Sequence, residues 1–156
     1  MDCNTRFIWL KDASCADLAG TVSGGQGTWA TAEAAAAALS SGTCGLTDGS
    51  VATDWRQPTI SELCRAWAGS SLPCPPGVGP HSLIDSSLSG APFVTNAAST
   101  GLWTEGDAFV GVQSSLYWSA TEFGAFLGWG VSLGNGNVFF GNKDGNHYVW
   151  PVRSGQ

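Results

Sequence analysis

Alternating apolar and small residues mark the last third of the chain. Apolar side chains occupy every second position, at Leu127, Trp129, Val131 and Leu133. Small residues lie between and after them, at Gly128, Gly130, Ser132 and Gly134. This period of two predicts a strand whose apolar residues form one buried face. The adjacent Phe139 and Phe140 cannot both point inward from a strand, so the opposite face is the predicted functional surface.

Similar patterns predict the other elements of the C-terminal third and the first strand. Strands are expected at 116–121, 127–133, 137–141 and 147–153. Turns are expected at 134–137, a Gly-Asn-Gly-Asn sequence, and at Asp144-Gly145. Residues 7–10, with the sequence FIWL, predict a short first strand.

Two helices are predicted in the first half. Thr28 is placed to cap a helix whose apolar face carries Trp29 and Leu39 and which ends at Gly42. A second helix is predicted to begin with a capping box, in which Thr59 and Glu62 satisfy each other's backbone amides, and to run to about Trp67. Residues 69–111 show no sustained period and predict a long loop.

Composition narrows the class of protein. The chain has 156 residues, with 22 Gly, 8 Trp and 12% charged residues, which favours one loop-rich domain over residues 1–156, either mainly β or α+β, with an aromatic core. The net charge of −6 and the scattered basic residues leave no stripe that could neutralise phosphates, so we expect no nucleic-acid partner. Membrane insertion is not expected either, since no apolar run has the length to span a bilayer.

The five cysteines all lie in the first half of the chain, at Cys3, Cys15, Cys44, Cys64 and Cys74. Their spacing contains no CxxC pair and no nearby histidine, so we predict no metal site. The loops they close favour disulfides Cys15–Cys44 and Cys64–Cys74 with Cys3 left over, although five reduced thiols are the alternative. Disulfides imply export. The residues that follow Met1 lack the pattern of a signal peptide, so we expect either that a leader has been removed or that the domain comes from a longer secreted chain.

Candidate catalytic residues are few. His81 and His147 have no nucleophile pattern beside them, which argues against a hydrolytic triad. Glu105 and Asp107 could pair as acid and base, but an exposed loop pair is the simpler interpretation. The oxygen-rich segments 48–50 and 144–146 lack the ligand count of a calcium loop and are interpreted as turns. No cofactor is expected. Trp103 lies in a loop, and its indole could either pack in the core or stack on a sugar ring.

Four motifs resemble the Lcl C-terminal domain family, a branch of the C-type lectin fold: DWRQPTISEL at 54–63, YWSAT at 117–121, the strand and turn at 129–136, and YVWPVR at 148–153. The resemblance spans nearly the whole chain. It implies a C-type-lectin-like domain with two helices and a twisted, mostly antiparallel sheet, usually in a secreted or surface-attached protein, and it does not imply an enzyme. Because small lectin-like domains bring their ends together, it also implies that the first strand pairs near the C-terminal strand. Gln57 and the long segment 64–80 depart from the family pattern. Gln57-Pro58 is also similar to the calcium motif of animal lectins, but Thr59 replaces its acid or amide, so calcium-dependent sugar binding is not carried over.

The chain also resembles the variable proteins of diversity-generating retroelements, which display a hypermutated C-terminal surface on this fold, here residues 117–153. Adenine randomisation of their Asn codons never yields Lys, Glu, Gln, Met or Trp. The predicted ligand-binding residues obey that restriction: Phe123, Gly124, Phe126, Gly128, Gly130, Ser132, Gly134, Phe139, Phe140, Asn142, Asp144, Asn146 and His147. An ordinary family member with a Gly-rich sheet face is the alternative.

The sequence thus predicts a non-catalytic, extracellular or cell-surface domain that binds a protein or carbohydrate ligand on another cell or particle. A carbohydrate or glycosaminoglycan adhesin domain is the second hypothesis, although the net acidity argues against polyanionic glycans. An enzyme of the formylglycine-generating branch is the third hypothesis, and it would need reactive cysteines.

Overall fold

Two helices and seven strands form the part of the chain that a computed structural model describes, namely residues 7–18, 25–63, 104–105, 109–135 and 137–155. In chain order they are β1 (Phe7–Trp9), β2 (Gln26–Gly27), α1 (Trp29–Ala38), α2 (Ile60–Leu63), β3 (Leu116–Phe123), β4 (Leu127–Ser132), β5 (Asn137–Asn142), β6 (His147–Tyr148) and β7 (Val152–Ser154).

The strands form two sheets. β1 and β7 pair antiparallel, with Ile8 opposite Arg153, which confirms the predicted pairing of the first strand with the C-terminal one. The larger sheet has the order β2-β6-β3-β4-β5, and within it only β3 and β6 run parallel. Helices on a mostly antiparallel sheet make this an α+β fold, as predicted.

α1 begins where the sequence predicts. The Thr28 hydroxyl accepts a hydrogen bond from Thr31 N at 3.3 Å, and Trp29, Ala32 and Ala36 are buried. The helix ends at Ala38, earlier than predicted, and Gly42 lies in the turn that follows with φ +102°.

α2 begins with the predicted capping box. Thr59 N donates to the Glu62 carboxylate at 2.7 Å, and Glu62 N donates to the Thr59 hydroxyl at 3.3 Å. Arg56 adds two hydrogen bonds to the same carboxylate, at 2.8 and 2.7 Å. The predicted continuation to Trp67 and most of the predicted loop 69–111 lie outside the described residues.

The predicted strand at 147–153 is wrong in one respect, because it is two strands. β6 pairs with β2 and β7 pairs with β1, and Val149, Trp150 and Pro151 between them are buried. Proline has no N–H to donate to a ladder, so the chain changes partner at this point. β2 itself was not predicted, since its two residues lie in a Gly-rich segment that indicates a loop.

The core lies around the indole of Trp150, which donates a hydrogen bond to Leu10 O at 2.8 Å and contacts the rings of Trp9 and Tyr117 at 6.0 Å each. Cys15 and Cys44 form a disulfide with Cα atoms 5.8 Å apart, as predicted. Within the described ranges, no helix is long and apolar enough to cross a membrane.

Candidate functional site

Both faces of β4 are packed along part of their length. Antiparallel partners share a face, so Gly130 lies on the same side as its partners Trp118 and Phe139. A Cβ added to Gly130 would lie 2.6 Å from the Phe139 ring, and one on Gly128 would lie 2.7 Å from the Trp29 indole. Gly128 and Gly130 therefore lie in the packed interior and not on the exposed face predicted for them, because aromatic rings cover that side of the strand.

The apolar face of β4 is buried at only one end. Val131 and Leu133 are 0% and 1% exposed, as predicted. Leu127 and Trp129 share their face, but both are only partly buried, and Trp129 packs against the edge of the core. The prediction that all four residues face the core is therefore confirmed for Val131 and Leu133, whereas burial is incomplete at Leu127 and Trp129.

Trp129 packs instead into an aromatic group beside the core. Its ring centroid lies 5.0 Å from that of Phe123 and 5.5 Å from that of Phe140, and both contacts are edge-on. Phe123 and Phe140 are themselves 4.7 Å apart. Such mutual contacts hold the rings in fixed orientations, so together they form a rigid surface.

These rings are also the main exposed apolar groups. Phe123 and Phe140 are each 44% exposed, and Phe126, in the turn between β3 and β4, is 79% exposed. Val51, at 62%, is the other large apolar side chain exposed in the described part of the chain. We call Phe123, Phe126, Trp129 and Phe140 the aromatic surface.

A polar turn borders the aromatic surface. Lys143 N donates to Phe126 O at 3.0 Å, which joins the turn after β5 to the turn after β3. Asn142 organises its own turn, because its side-chain oxygen accepts from Asp144 N at 3.0 Å and its carbonyl accepts from Gly145 N at 2.8 Å. The side chains of Asn142, Asp144 and Asn146 are exposed, and Asn142 follows Phe140 by two residues on β5.

Lys143 anchors this end of the sheet to α1. Its ammonium lies 4.5 Å from the Trp29 ring and 3.3 Å from the Glu122 carboxylate, and its carbonyl accepts from Trp29 N at 2.9 Å. These contacts fix the polar turn in place. Neither Lys143 nor Trp129 was among the predicted binding residues. Trp129 could have been included, because phenylalanines predicted to bind the ligand precede and follow it in the sequence.

Phe139 and His147 lie on the reverse side of the sheet. The ring centroid of Trp118 is 5.9 Å from that of Phe139 and 4.4 Å from that of His147. Burial lowers the pKa of His147 below its ordinary value, so the neutral imidazole is favoured at neutral pH. This aromatic group contributes to packing, and it is separate from the aromatic surface.

The structure thus brings together about half of the predicted binding residues. Ser132 and Gly134 lie at the opposite end of β4 and in the turn after it. The predicted residues that meet at one end of the sheet are Phe123, Gly124, Phe126, Phe140, Asn142 and Asp144, whereas Asn146 lies between this turn and β6.

Several other predictions concern possible chemistry. Cys15, Asp17 and Cys44 come within 4.8 Å of one another, but the two sulfurs are bonded together and offer no thiolate to a metal. Glu105 accepts a hydrogen bond from Gly111 N at 3.1 Å. The predictions for Cys3, Cys64, Cys74, His81, Trp103 and Asp107 fall on residues outside the described ranges.

Comparison with known proteins gives one match. Residues 1–153 match the family model of the Lcl C-terminal domain. Searches of curated proteins and of solved structures returned no significant match.

Proposed function

The chain belongs to the Lcl C-terminal domain family, and from this membership we propose that it is a non-catalytic ligand-binding domain that uses the aromatic surface. The family match supports a surface or ligand-binding role. The aromatic surface could provide the contacts, since the rings of Phe123, Trp129 and Phe140 hold one another in place and lose little conformational freedom when a partner covers them.

Exposure of these rings is the observation that carries the proposal. Phe126 is 79% exposed, so water covers most of an apolar ring. Removing one such ring from water gains about 1.5 to 3 kcal/mol, and aromatic residues with fixed neighbours dominate many binding interfaces. The polar side chains of Asn142 and Asp144 beside the rings can form the hydrogen-bonding rim of such an interface.

The fold supports a C-type-lectin-like arrangement. β1 and β7 bring the two ends of the described chain together, with Phe7 opposite Ser154, and α1 packs on the sheet through Trp29. In this arrangement the β3–β4–β5 segment is free to carry the ligand contacts, while the paired ends and the helices hold it.

The disulfide supports an extracellular or cell-surface location. Cys15–Cys44 joins two segments 29 residues apart in sequence, and disulfides persist mainly in oxidising compartments. The proposed ligand is then a protein or carbohydrate on another cell or particle surface.

The solvent-facing residues around Trp129, which is itself a type that this randomisation cannot yield, are our proposed site of retroelement diversification. Variation is tolerated where side chains face solvent, which is the case at Phe123, Phe126, Asn142, Asp144 and Asn146. Gly128 and Gly130 are excluded, because any larger residue there would collide with a ring. Sequencing the gene from many isolates should show adenine-derived changes at the solvent-facing codons, with a reverse transcriptase and a near-copy of the coding region for 117–153 nearby.

Binding itself is tested with two matched variants. A fluorescent form of the domain is titrated onto candidate target cells by flow cytometry, with unlabelled protein as competitor. Phe123→Ser combined with Phe126→Ser should compete at least tenfold less well. Val51→Ser removes another exposed apolar side chain, which is not part of the aromatic surface, so it should compete like the unchanged protein.

Two outcomes would decide against the proposal in different ways. Equal competition by both variants would mean that the aromatic surface is not the contact site. Binding to a glycan array that survives the double Phe variant would favour an adhesin with its site elsewhere on the domain.

A further inference from the structure

Phe126 lies in the short turn between β3 and β4. β3 ends at Phe123 and β4 begins at Leu127, and these two residues are strand partners, so Gly124, Ala125 and Phe126 alone make the connection. Gly124 adopts φ +77°, a conformation that glycine enters without strain. The three turn residues are exposed, and Phe126 reaches 79% exposure.

The backbone of this turn is held by Lys143. Lys143 N donates to Phe126 O at 3.0 Å, and its ammonium donates to Ala125 O at 3.4 Å. The same ammonium pairs with the Glu122 carboxylate at 3.3 Å and lies 4.5 Å from the Trp29 ring. Phe126 therefore projects from a backbone that is fixed before any partner binds, so binding spends little free energy on ordering the turn.

The other rings of the aromatic surface do not form a flat platform. The ring planes are inclined by 65° between Phe123 and Trp129, by 80° between Trp129 and Phe140, and by 37° between Phe123 and Phe140. A sugar that stacks by its face needs a flat apolar platform with polar groups placed around it. Tilted rings without polar atoms on the phenylalanines are instead typical of the apolar core of a protein–protein interface.

Most polar side chains of the neighbouring turns already have partners within the domain. Glu122 and Lys143 pair with each other, and the side-chain oxygen of Asn142 accepts from Asp144 N at 3.0 Å. A sugar hydroxyl pressed against the rings would lose water and gain few hydrogen bonds, which costs free energy. An apolar side chain of a protein carries no such cost, so the surface suits a protein better than a carbohydrate.

The exposed charge at this end of the sheet is negative. The side chain of Lys143 is only 19% exposed, whereas that of Glu122 is 58% exposed and Asp144 is also exposed. The whole chain adds a net charge of −6. Basic groups on a partner are attracted to such a surface, whereas an anionic glycan or lipid headgroup is repelled.

We propose that the partner of the aromatic surface is a protein with an apolar pocket that receives the Phe126 ring and is bordered by Arg or Lys side chains. This assignment depends on the proposed function, because it names the partner of the same surface. Phe126 is the anchor, since it is the most exposed large apolar side chain of the described ranges and stands on a fixed backbone. Aromatic anchors that fill a pocket carry much of the energy of an interface. Phe123, Trp129 and Phe140 then form the surrounding contact that excludes water.

The first test compares two substitutions at Phe126 in the flow-cytometry competition, on cells to which the fluorescent domain binds. Phe126→Leu keeps an apolar side chain for the pocket, whereas Phe126→Tyr keeps the flat ring and adds a hydroxyl that the pocket would have to bury. We expect Phe126→Leu to compete within about fivefold of the unchanged protein, and Phe126→Tyr to compete about tenfold less well or worse. Stacking on a sugar would give the reverse order, because Leu has no ring face. Position 126 is exposed, so circular dichroism should show that both variants melt like the unchanged protein.

The second test changes the cells. Proteinase K removes surface proteins, and mild periodate cleaves the diols of sugars while leaving most protein side chains intact. Binding of the fluorescent domain should be lost after proteinase K and kept after periodate. Loss with both treatments would identify a glycan carried by a protein, and binding that survives proteinase K would identify a lipid or a glycolipid.

The third test addresses the basic border of the pocket. Asp144→Asn should compete about threefold less well at low salt, and the difference should disappear in about 1 M salt, where the Debye length is about 3 Å. Glu33→Gln makes the same change in net charge at an exposed carboxylate on α1, so it should compete like the unchanged protein.

The proposal is overturned if Phe126→Tyr competes as well as Phe126→Leu or better, if periodate removes binding, or if binding survives proteinase K. An unchanged affinity of Asp144→Asn would exclude the basic border. All of these results leave the proposed function intact as long as the double variant Phe123→Ser with Phe126→Ser fails to compete. Full competition by that double variant would instead reject the aromatic surface itself.

Discussion

The Trp29 indole lies so close to Gly128 that a Cβ on Gly128 would approach its Cδ1 atom to 2.7 Å and its Nε1 atom to 2.9 Å. That indole nitrogen donates a hydrogen bond to Ser119 O at 2.8 Å, so the ring cannot move aside without losing it. The glycine therefore lets α1 pack against the middle of the sheet, and this packing closes the reverse side of the aromatic surface.

Replacing Gly128 should destabilise the domain through steric overlap. We expect Gly128→Ala to cost about 1 to 3 kcal/mol, because the added methyl group forces the Trp29 ring or the strand to shift. Gly141 is the matched control, since it is the strand partner of Gly128 and its added Cβ would meet its nearest atom at 3.4 Å. Urea unfolding should place Gly141→Ala within about 0.5 kcal/mol of the unchanged protein. Equal costs for the two variants would contradict the packing described.

Substitutions at Trp118 and Phe126 should show that the first residue stabilises the core and that the second contributes little to stability. Trp118 is 0% exposed and donates a hydrogen bond to Gly27 O at 3.1 Å, so Trp118→Ala should cost about 3 to 5 kcal/mol. Phe126 is 79% exposed, so Phe126→Ser should change the free energy of unfolding by less than about 0.5 kcal/mol. Thermal melts followed by circular dichroism would measure both. A large loss for Phe126→Ser would mean that its ring is part of the core.

Local signals predicted much of the fold correctly. The cap at Thr28 and the capping box of Thr59 and Glu62 depend on hydrogen bonds within a few residues, so the sequence carries them directly. The disulfide between Cys15 and Cys44 followed from the short list of possible loop closures. The expectation that at least one of two adjacent strand phenylalanines faces out was also right, since Phe140 is 44% exposed and Phe139 is only partly exposed.

The candidate site was harder to predict, because burial depends on what packs over a strand. The period-two pattern correctly placed Trp129 on the face of Val131, yet it could not show that Trp129 lies at the edge of the core and is only partly buried. It also could not show that Trp29, about a hundred residues earlier in the sequence, covers Gly128. Such long-range contacts determined which predicted residues reach solvent.

Removing the disulfide should weaken the domain considerably. The bond closes a loop over a sequence separation of 29, so Cys15→Ala with Cys44→Ala should lose about 3 to 4 kcal/mol, through the greater freedom of the unfolded chain. Urea unfolding of the double variant and of the unchanged protein, each with and without reductant, measures the effect. Peptide mapping without reduction should recover the 15–44 link. A double variant as stable as the oxidised protein would show that this bond does not constrain the fold.

Acidification should remove the contribution that Glu62 makes to the stability of the folded domain. Burial alone would raise the pKa of this carboxyl group, but hydrogen bonds from Arg56 and Thr59 outweigh burial and hold the pKa below its ordinary value of 4.5. Because the folded-state pKa is lowered, the stabilisation is present above pH 4.5 and is lost as the pH falls through the folded-state pKa. Glu62→Gln should therefore be less stable by about 1 kcal/mol at pH 7, a modest value because Arg56 is partly exposed to solvent. This difference should shrink towards zero at low pH in urea titrations, and a constant difference would contradict the assignment.

His147 should make stability depend on pH in a different window. Its imidazole lies 4.4 Å from the ring of Trp118 and 5.2 Å from that of Phe139, and burial lowers its pKa below the ordinary value of 6.5. The unfolded chain then binds the proton more readily than the folded domain, so stabilisation is complete above pH 6.5 and is lost as the pH falls through the folded-state pKa. One proton allows a slope of at most about 1.4 kcal/mol per pH unit. Urea unfolding between pH 5 and 8 should show this slope in the unchanged protein and not in His147→Gln. His81→Gln removes the only other histidine and should keep the slope, so a slope that disappears with His81 instead would assign the titration to that residue.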